Sequence, residues 1–233
     1  MKVTAILLIA GQGQRFGSKT PKQFLNLSGK KIYLHTLETY LSFKEFFEIL
    51  LVCNIDWIES VSKEIPNQRT RVIKGGATRQ ASIYQALLAC NEKTSHVVVH
   101  DGVRPFVSKR IIKDNLQALT HHNAINTCIP SSDTIIQTKD SNTIKSIPNR
   151  SQYLRGQTPQ SFSYPILLKA HQQASCYDSS DDCSLVLNIN EPVYIVKGDE
   201  QNIKITNKLD LFLAEQLMRT RSILPNPSSY SLK

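Results

Sequence analysis

The chain has 233 residues, 40% hydrophobic and 20% charged, with a formal net charge of +9. That length suits one sizeable α/β domain with a real core, and the composition excludes a disordered chain. No apolar stretch nears the roughly 20 residues that cross a bilayer. The cysteines (Cys53, Cys90, Cys128, Cys176 and Cys183) include no C-x-x-C pair, which argues against a zinc site or a disulfide framework and for a reducing, cytoplasmic setting.

The first element is an apolar run, Ala5 to Ala10. It follows Lys2 and meets glycine at once, so it reads as a first core strand rather than a signal peptide. It breaks into Gly11-Gln12-Gly13-Gln14-Arg15, with Lys19 and Lys22 close behind. Glycines let backbone N–H groups approach an anion closely, and cations neutralise the charge that the amides orient. A dinucleotide fingerprint is excluded because Phe16 stands where its third glycine would be. A Walker loop is excluded because Ser18 separates Gly17 from Lys19 and no glycine lies five residues before Gly17. Two readings remain for the loop alone: a third kind of phosphate loop with Arg15 and Lys22 as its cations, or a tight turn with solvated basic residues.

Lys31 to Tyr40 carries apolar residues at helical spacing. Phe47 to Cys53 is a buried strand interrupted only by Glu48. Asp56 to Ile65 is a helix with Asp56 as its cap and Pro66 as its stop. Arg71 to Lys74 is a short strand that runs into Gly75-Gly76, and a helix follows over Arg79 to Cys90. His96 to His100 is the next buried strand and ends on Asp101-Gly102. A helix over Lys109 to His121 and a strand over Ala124 to Pro130 continue the alternation. Near-continuous apolar strands alternating with helices predict a doubly wound, mostly parallel α/β sheet. Ligands of such sheets sit outside the carboxyl ends of the strands, which is where Gly11–Arg15, Gly75-Gly76 and Asp101 fall.

The pattern changes at residues 133–150. Ile135–Thr138 and Thr143–Ile147 are short β pieces joined by Lys139-Asp140-Ser141-Asn142, a hairpin signal. A protruding hairpin has no core of its own and is marginal in water, so this β-arm calls for a partner, most simply the same arm of a second subunit. The chain returns at Gly156 to Gln160. Helices over Tyr164–Ala174 and Asp181–Leu187, a strand over Val193–Val196 and a last helix over Leu209–Arg219 complete one domain spanning 1–223. Residues 224–233, with two prolines and three serines, read as a disordered tail.

Several residues carry candidate chemistry. Asp101 at a strand terminus either holds Mg²⁺ together with substrate phosphate or caps the following turn. Gly75-Gly76-x-x-Arg79-x-x-Ser82 is a glycine turn entering a helix, and its amides and hydroxyl either read a nucleoside or only shape the turn. Lys204, between Ile203 and Ile205, is either a cation delivered to a polar site or an exposed lysine. The histidines show no metal spacing, and no G-x-S-x-G elbow supports a hydrolase. The positive surplus admits a nucleic-acid partner, but there is no dense basic block and no aromatic ribbon for RNA. A non-catalytic nucleotide- or RNA-binding module is the alternative of a different class.

Taken in order, AGQGQRFG, PKQF, GGATRQAS, VVVHDGVRPFV, QTPQSF, SDDCS and NIKIT resemble one family over about residues 3 to 218. It is that of the 2-C-methyl-D-erythritol 4-phosphate cytidylyltransferases and their near relatives that use ribitol 5-phosphate. The resemblance implies a Rossmann-like nucleotidyltransferase fold and a Mg²⁺-dependent homodimer joined through the β-arm, without nucleic acid or membrane. Its substrates would be CTP and a sugar-alcohol phosphate, its products a CDP-alcohol and pyrophosphate. By the same resemblance Ala10, Gly11, Gly13 and Arg15 wrap the triphosphate, and Arg15, Lys22 and Lys204 serve the reacting phosphates. Gly75, Ser82 and Asp101 hold the nucleoside, with Asp101 also at the metal. Thr134, Arg150, Ser180 and Arg104 hold the second substrate. Ser180 departs from the threonine usual in the isoprenoid enzymes. IPNRSQYLRGQTPQSF is more similar to the ribitol enzymes, while HDGVRPFV and SDDCSLVL are similar to isoprenoid ones. The expectation taken is methylerythritol phosphate as second substrate, giving 4-diphosphocytidyl-2-C-methyl-D-erythritol. Ribitol 5-phosphate is the alternative.

Overall fold

The computed structural model describes residues 1–11, 16–17, 20–65, 68–175, 179 and 181–223. Arg15, Gly13, Ser180 and the tail after Ile223 lie outside that set. A seven-stranded sheet forms the centre. Its strands are β1 (Val3–Ile9), β4 (Phe46–Cys53), β5 (Thr70–Lys74), β6 (His96–Asp101), β7 (Ala124–Pro130), β10 (Leu154–Ser163) and β11 (Tyr194–Lys197), in the order β11-β7-β10-β6-β1-β4-β5. All run parallel except β10, which pairs antiparallel with both β6 and β7.

Strand alternation distributes the apolar side chains between two faces. Leu7 and Ile9 of β1 and Ile49 and Leu51 of β4 pack under α1 (Ile32–Leu41), α2 (Ile58–Glu64) and α4 (Lys109–Ala118). Ile6, Leu50, Val97 and Val99 pack under α3 (Arg79–Ala89), α5 (Tyr164–Gln172) and α6 (Asp182–Asn188). With both faces covered, the strands carry the near-continuous apolar runs of a doubly wound sheet. A third cluster, with Phe16, Leu27, Val103, Phe106 and Ile205, sits under α7 (Lys208–Ile223) near the strand ends.

Four features depart from the sequence expectations. β10 was expected only as a return of the chain, because Gly156 and Pro159 interrupt a strand pattern. The structure accommodates them with a register shift between Gln157 and Gln160, a place in a ladder where proline is tolerated. A small hairpin, β2 (Asn26–Leu27) and β3 (Lys30–Lys31), precedes α1 and turns on Ser28 and Gly29, both at positive φ. Asp56 caps no helix: it lies inside a 3₁₀ turn, Ile55–Trp57, that leads into α2, and the turn is capped by Asn54, whose side chain accepts from the Asp56 amide at 3.1 Å. The Asn202–Thr206 segment is not a strand, although the Ile205 amide donates to Val103 O at 3.0 Å and its side chain is fully buried.

In the arm, β8 (Gln137–Thr138) and β9 (Ile144–Ser146) pair antiparallel. Asp140 closes the turn by accepting from the amides of Asn142 and Thr143. Ile136, Ile144 and Ile147 are exposed in this chain.

Candidate active site

A cavity of about 630 Å³ opens at the carboxyl ends of β1, β4, β5 and β6. That is the size of a small-molecule site, at the edge of the sheet where ligands of such folds bind. Its first wall is the end of β1, with Ala10 and Gly11. Gln23, in the 3₁₀ turn Lys22–Phe24, also lines the cavity and holds this wall in place. Its amide donates to Ile9 O at 2.7 Å and Gly11 O at 2.8 Å. One buried amide thus ties down both carbonyls that flank Ala10.

The opposite wall is the turn after β5. The Gly75 amide donates to Cys53 O at 2.7 Å, which keeps the turn in register with β4. A Cβ on Gly75 would lie 2.8 Å from the Ala10 Cβ and 3.0 Å from the Ser82 Oγ. Glycine is required here by close approach, not by a left-handed conformation. Ser82 itself is buried. Its hydroxyl donates to Thr78 O at 2.8 Å and accepts from the Gly76 amide at 3.1 Å, so it shapes the turn as well as lining the cavity.

The floor is ionic. Asp101 ends β6, and its Oδ2 lies 3.1 Å from the Lys204 Nζ and 3.2 Å from the Arg104 Nε. Burial alone would raise the Asp101 carboxyl. Lys204, Arg104 and Arg79 outweigh it and hold the group well below the usual carboxylate range, so it is ionised. Beneath it the polar groups form a chain. Arg104 O can only accept from His100 Nε2 (3.4 Å), so Nδ1 accepts from the Thr158 hydroxyl (2.9 Å), whose oxygen accepts the Asp101 amide (3.1 Å). Burial, with Arg104 and Lys204 nearby, pushes His100 down to about 3 and keeps it neutral. Arg104 also donates to Asn202 O at 2.8 Å, and Asn202 in turn donates to Thr158 O at 2.8 Å. This frame carries Lys204 to the cavity.

The described residues among those expected at the site fall into three groups. Ala10, Gly11, Lys22, Gly75, Ser82, Asp101 and Lys204 line the one cavity. Arg104 is buried beneath Asp101, with its guanidinium bonded to Asp101 and to Asn202 O. Thr134 and Arg150 are exposed at the base of the arm, away from the cavity lining, and Arg150 donates to Ser132 O at 2.8 Å. Arg15, Gly13 and Ser180 lie outside the described residues.

Sequence reasoning assigned no role to Gln23, Arg79, Thr158 or Thr206, although each falls inside a quoted motif. Gln23 and Thr158 act through the backbone, a use that residue type alone does not announce. Arg79 carried a usable signal, since it is the first helical residue after a glycine turn. Thr206 lines the cavity while its hydroxyl and amide bond Asp210 at the start of α7. That carboxyl is lowered by these bonds and by the nearby Lys22 charge, against the effect of burial.

Glycine-cornered backbone, three lysines (Lys22, Lys74 and Lys204), Arg79 and an ionised aspartate around one cavity at the strand ends define a phosphate-handling site on a doubly wound sheet, the arrangement of a nucleotidyltransferase. The family model of 2-C-methyl-D-erythritol 4-phosphate cytidylyltransferase (IspD) matches residues 3–220, and the chain belongs to that family. It is thus a CTP-dependent cytidylyltransferase. The ribitol-5-phosphate cytidylyltransferase of Lactiplantibacillus plantarum is 37% identical over 94% of this chain and 100% of that protein. Among solved structures, 4-diphosphocytidyl-2C-methyl-D-erythritol synthase of Anaerococcus prevotii superposes with a TM-score of 0.84 at 30% identity, covering 94% of this chain and 98% of that one. The 2-C-methyl-D-erythritol 4-phosphate cytidylyltransferase of Thermus thermophilus gives 0.77 at 30% identity, over 94% and 100%.

Proposed function

We propose that the enzyme transfers the cytidylyl group of CTP to D-ribitol 5-phosphate, forming CDP-ribitol and pyrophosphate. The observation that carries this choice is the 37% identity to the ribitol-5-phosphate enzyme across that protein's whole length, against 30% to the two isoprenoid enzymes. It reverses the expectation of methylerythritol phosphate, on which the motifs were divided. The stretch 147–162, which was similar to the ribitol enzymes, supports it from the sequence side. Methylerythritol 4-phosphate remains the second reading, favoured by the family model.

In this reading CTP fills the cavity between the Gly11 and Gly75 walls. A phosphate oxygen of the polyol phosphate attacks the α-phosphorus in line, and the bond to pyrophosphate breaks. The protein's part is positioning and electrostatic stabilisation. Lys22 and Lys204 oppose the charge that develops on the phosphates, and Arg15 joins them by family resemblance. Lys204 is held by Asp101 in this state and lies within reach of the same floor. Asp101 is the acidic residue among those lining the cavity, and no cluster of three His, Cys, Asp or Glu side chains occurs among the described residues. One ionised carboxylate with phosphate oxygens to complete the shell is a donor set that fits Mg²⁺. Bound at Asp101, the ion would neutralise phosphate charge.

Thr134 and Arg150 reach a second substrate only from a neighbouring subunit in this reading. The exposed Ile136, Ile144 and Ile147 of the arm support a homodimer that brings them there. We place the enzyme in the cytoplasm with its substrates. Among the described residues no helix is long and apolar enough to cross a membrane. The test is pyrophosphate release with CTP and Mg²⁺, run with ribitol 5-phosphate and methylerythritol 4-phosphate side by side. A kcat/KM at least tenfold higher with ribitol 5-phosphate is expected, and a preference for methylerythritol 4-phosphate would overturn the assignment.

A further inference from the structure

Behind the Gly75 wall lies a buried ionic group that the reaction as described does not use. Asp182, the first residue of α6, is 1% exposed. Its Oδ2 accepts from the Arg79 Nη1 at 2.6 Å and its Oδ1 from the His171 Nε2 at 3.0 Å. His171, on α5, is itself buried, and its ring stacks on Tyr84 of α3 with a 9° interplanar angle. Because a carboxylate accepts, Nε2 carries the proton, and both Asp182 oxygens are engaged.

Such a group is not explained by stability. A buried ion pair is commonly replaceable by apolar side chains without loss of stability. Arg79 also stands in the first turn of α3, where the positive end of the helix dipole disfavours a cation. What the pair achieves is placement. The Arg79 side chain is 23% exposed and lines the cavity beside Gly75, Gly76 and Ser82. Its charge also acts on Asp101 at the floor. A long guanidinium side chain loses much rotamer freedom when it binds a ligand, and fixing it beforehand removes that loss from the binding step.

We propose that Asp182, braced by His171, is a positioning residue for the nucleotide: it holds the Arg79 guanidinium in place at the cavity wall as a contact for bound CTP. This rests on the reading that CTP fills this cavity. Asp182 is not a catalytic residue, since it touches Arg79 and not the reacting atoms.

The test is titration of the full-length protein with CTP by calorimetry, together with KM values for both substrates. Asp182→Asn keeps the shape but puts an amide donor where one of two donors must be accepted. It is expected to weaken CTP about tenfold and leave the KM of the polyol phosphate unchanged. Arg79→Lys keeps the charge but loses the fork, and is expected to weaken CTP by a similar factor. The double variant is expected to bind no more weakly than Arg79→Lys alone, because Asp182 acts through Arg79. Multiplying effects, or a KM that rises equally for both substrates, would reduce Asp182 to a structural role and overturn the proposal. Should Asp182→Asn fail to fold, Arg79→Lys decides alone: unchanged CTP affinity removes the contact and the proposal with it. If the wild-type protein itself does not bind CTP, the reading of the cavity fails first, an outcome distinct from wild-type binding with insensitive variants.

Discussion

Gln23→Glu is the sharpest test of how the first wall of the site is held. The change replaces one amide nitrogen by oxygen and alters the side-chain volume very little. The Gln23 nitrogen donates to Ile9 O at 2.7 Å and Gly11 O at 2.8 Å, and the residue is 2% exposed. A carboxylate there would face two carbonyl oxygens and donate to neither. An orphaned buried carbonyl costs about 1–3 kcal/mol, so losing both donors costs about 2–6 kcal/mol. Burial favours the protonated acid, which restores one donor, but holding a proton at pH 7 on a group with an ordinary pKa of about 4.3 costs roughly 4 kcal/mol, so with one carbonyl still orphaned the net loss is about 5–7 kcal/mol. In a domain of this length each kcal/mol moves Tm by about 2–4 °C, so a fall of at least about 10 °C at pH 7 is expected by circular dichroism. The fall should shrink at pH 5, where protonation is easier. Since both carbonyls flank Ala10 at the cavity wall, CTP affinity measured by calorimetry should fall by about tenfold, or roughly 1.4 kcal/mol. Gln23→Met, which removes the donors without adding charge, should be destabilised at both pH values equally. A Gln23→Glu protein with wild-type Tm and wild-type CTP affinity would refute the role of this amide.

Three further outcomes follow from the geometry. Lys204→Ala leaves Asp101 still bonded to Arg104, so Tm should change little while single-turnover kcat falls on the order of 10²–10³-fold; near-normal turnover would remove Lys204 from the mechanism. His100 is neutral when folded, with its pKa near 3, and regains the ordinary value of about 6.5 when unfolded. The unfolded chain therefore binds the extra proton between these values, and stability falls as pH drops below about 6.5, by about 2 kcal/mol from pH 7 to 5 in metal-free buffer. Urea unfolding of wild type and His100→Gln at both pH values reads this loss as a difference, and an equal pH response in the two proteins would contradict it. Charging the arm with Ile144→Asp and Ile147→Asp should convert the proposed dimer into a monomer by light scattering and raise the KM of the polyol phosphate well above that of CTP; a variant that stays dimeric argues for another interface.

Much of the architecture was legible along the chain, because a strand covered on both faces must be apolar at nearly every position. Runs such as Ala5–Ala10 and His96–His100 announce themselves in that way, and the glycines and aspartate that follow them mark the strand ends where ligands bind. Gly75 is an example of a local feature with a tertiary cause. The sequence marks a turn, but only the 2.8 Å approach to Ala10 explains why no side chain fits. β10 was hidden because Gly156 and Pro159 contradict a strand locally, and only its two neighbours, β6 and β7, supply the ladder and the bulge that accommodate them.

The same division runs through the site. The chemical inventory is written along the chain: a glycine loop, Lys22, Asp101 and Lys204, each next to an apolar element that would carry it to one edge of the sheet. Tertiary structure decided which groups share a cavity and which stand behind it. Arg104, expected at the second substrate, lies beneath Asp101, because a buried carboxylate needs compensating charge and the guanidinium beside it also reaches Asn202 O. Gln23, Thr158 and Asp182 act through the backbone or through another side chain. Their partners lie 11 or more residues away in the chain, a distance that local pattern does not span and that folding closes.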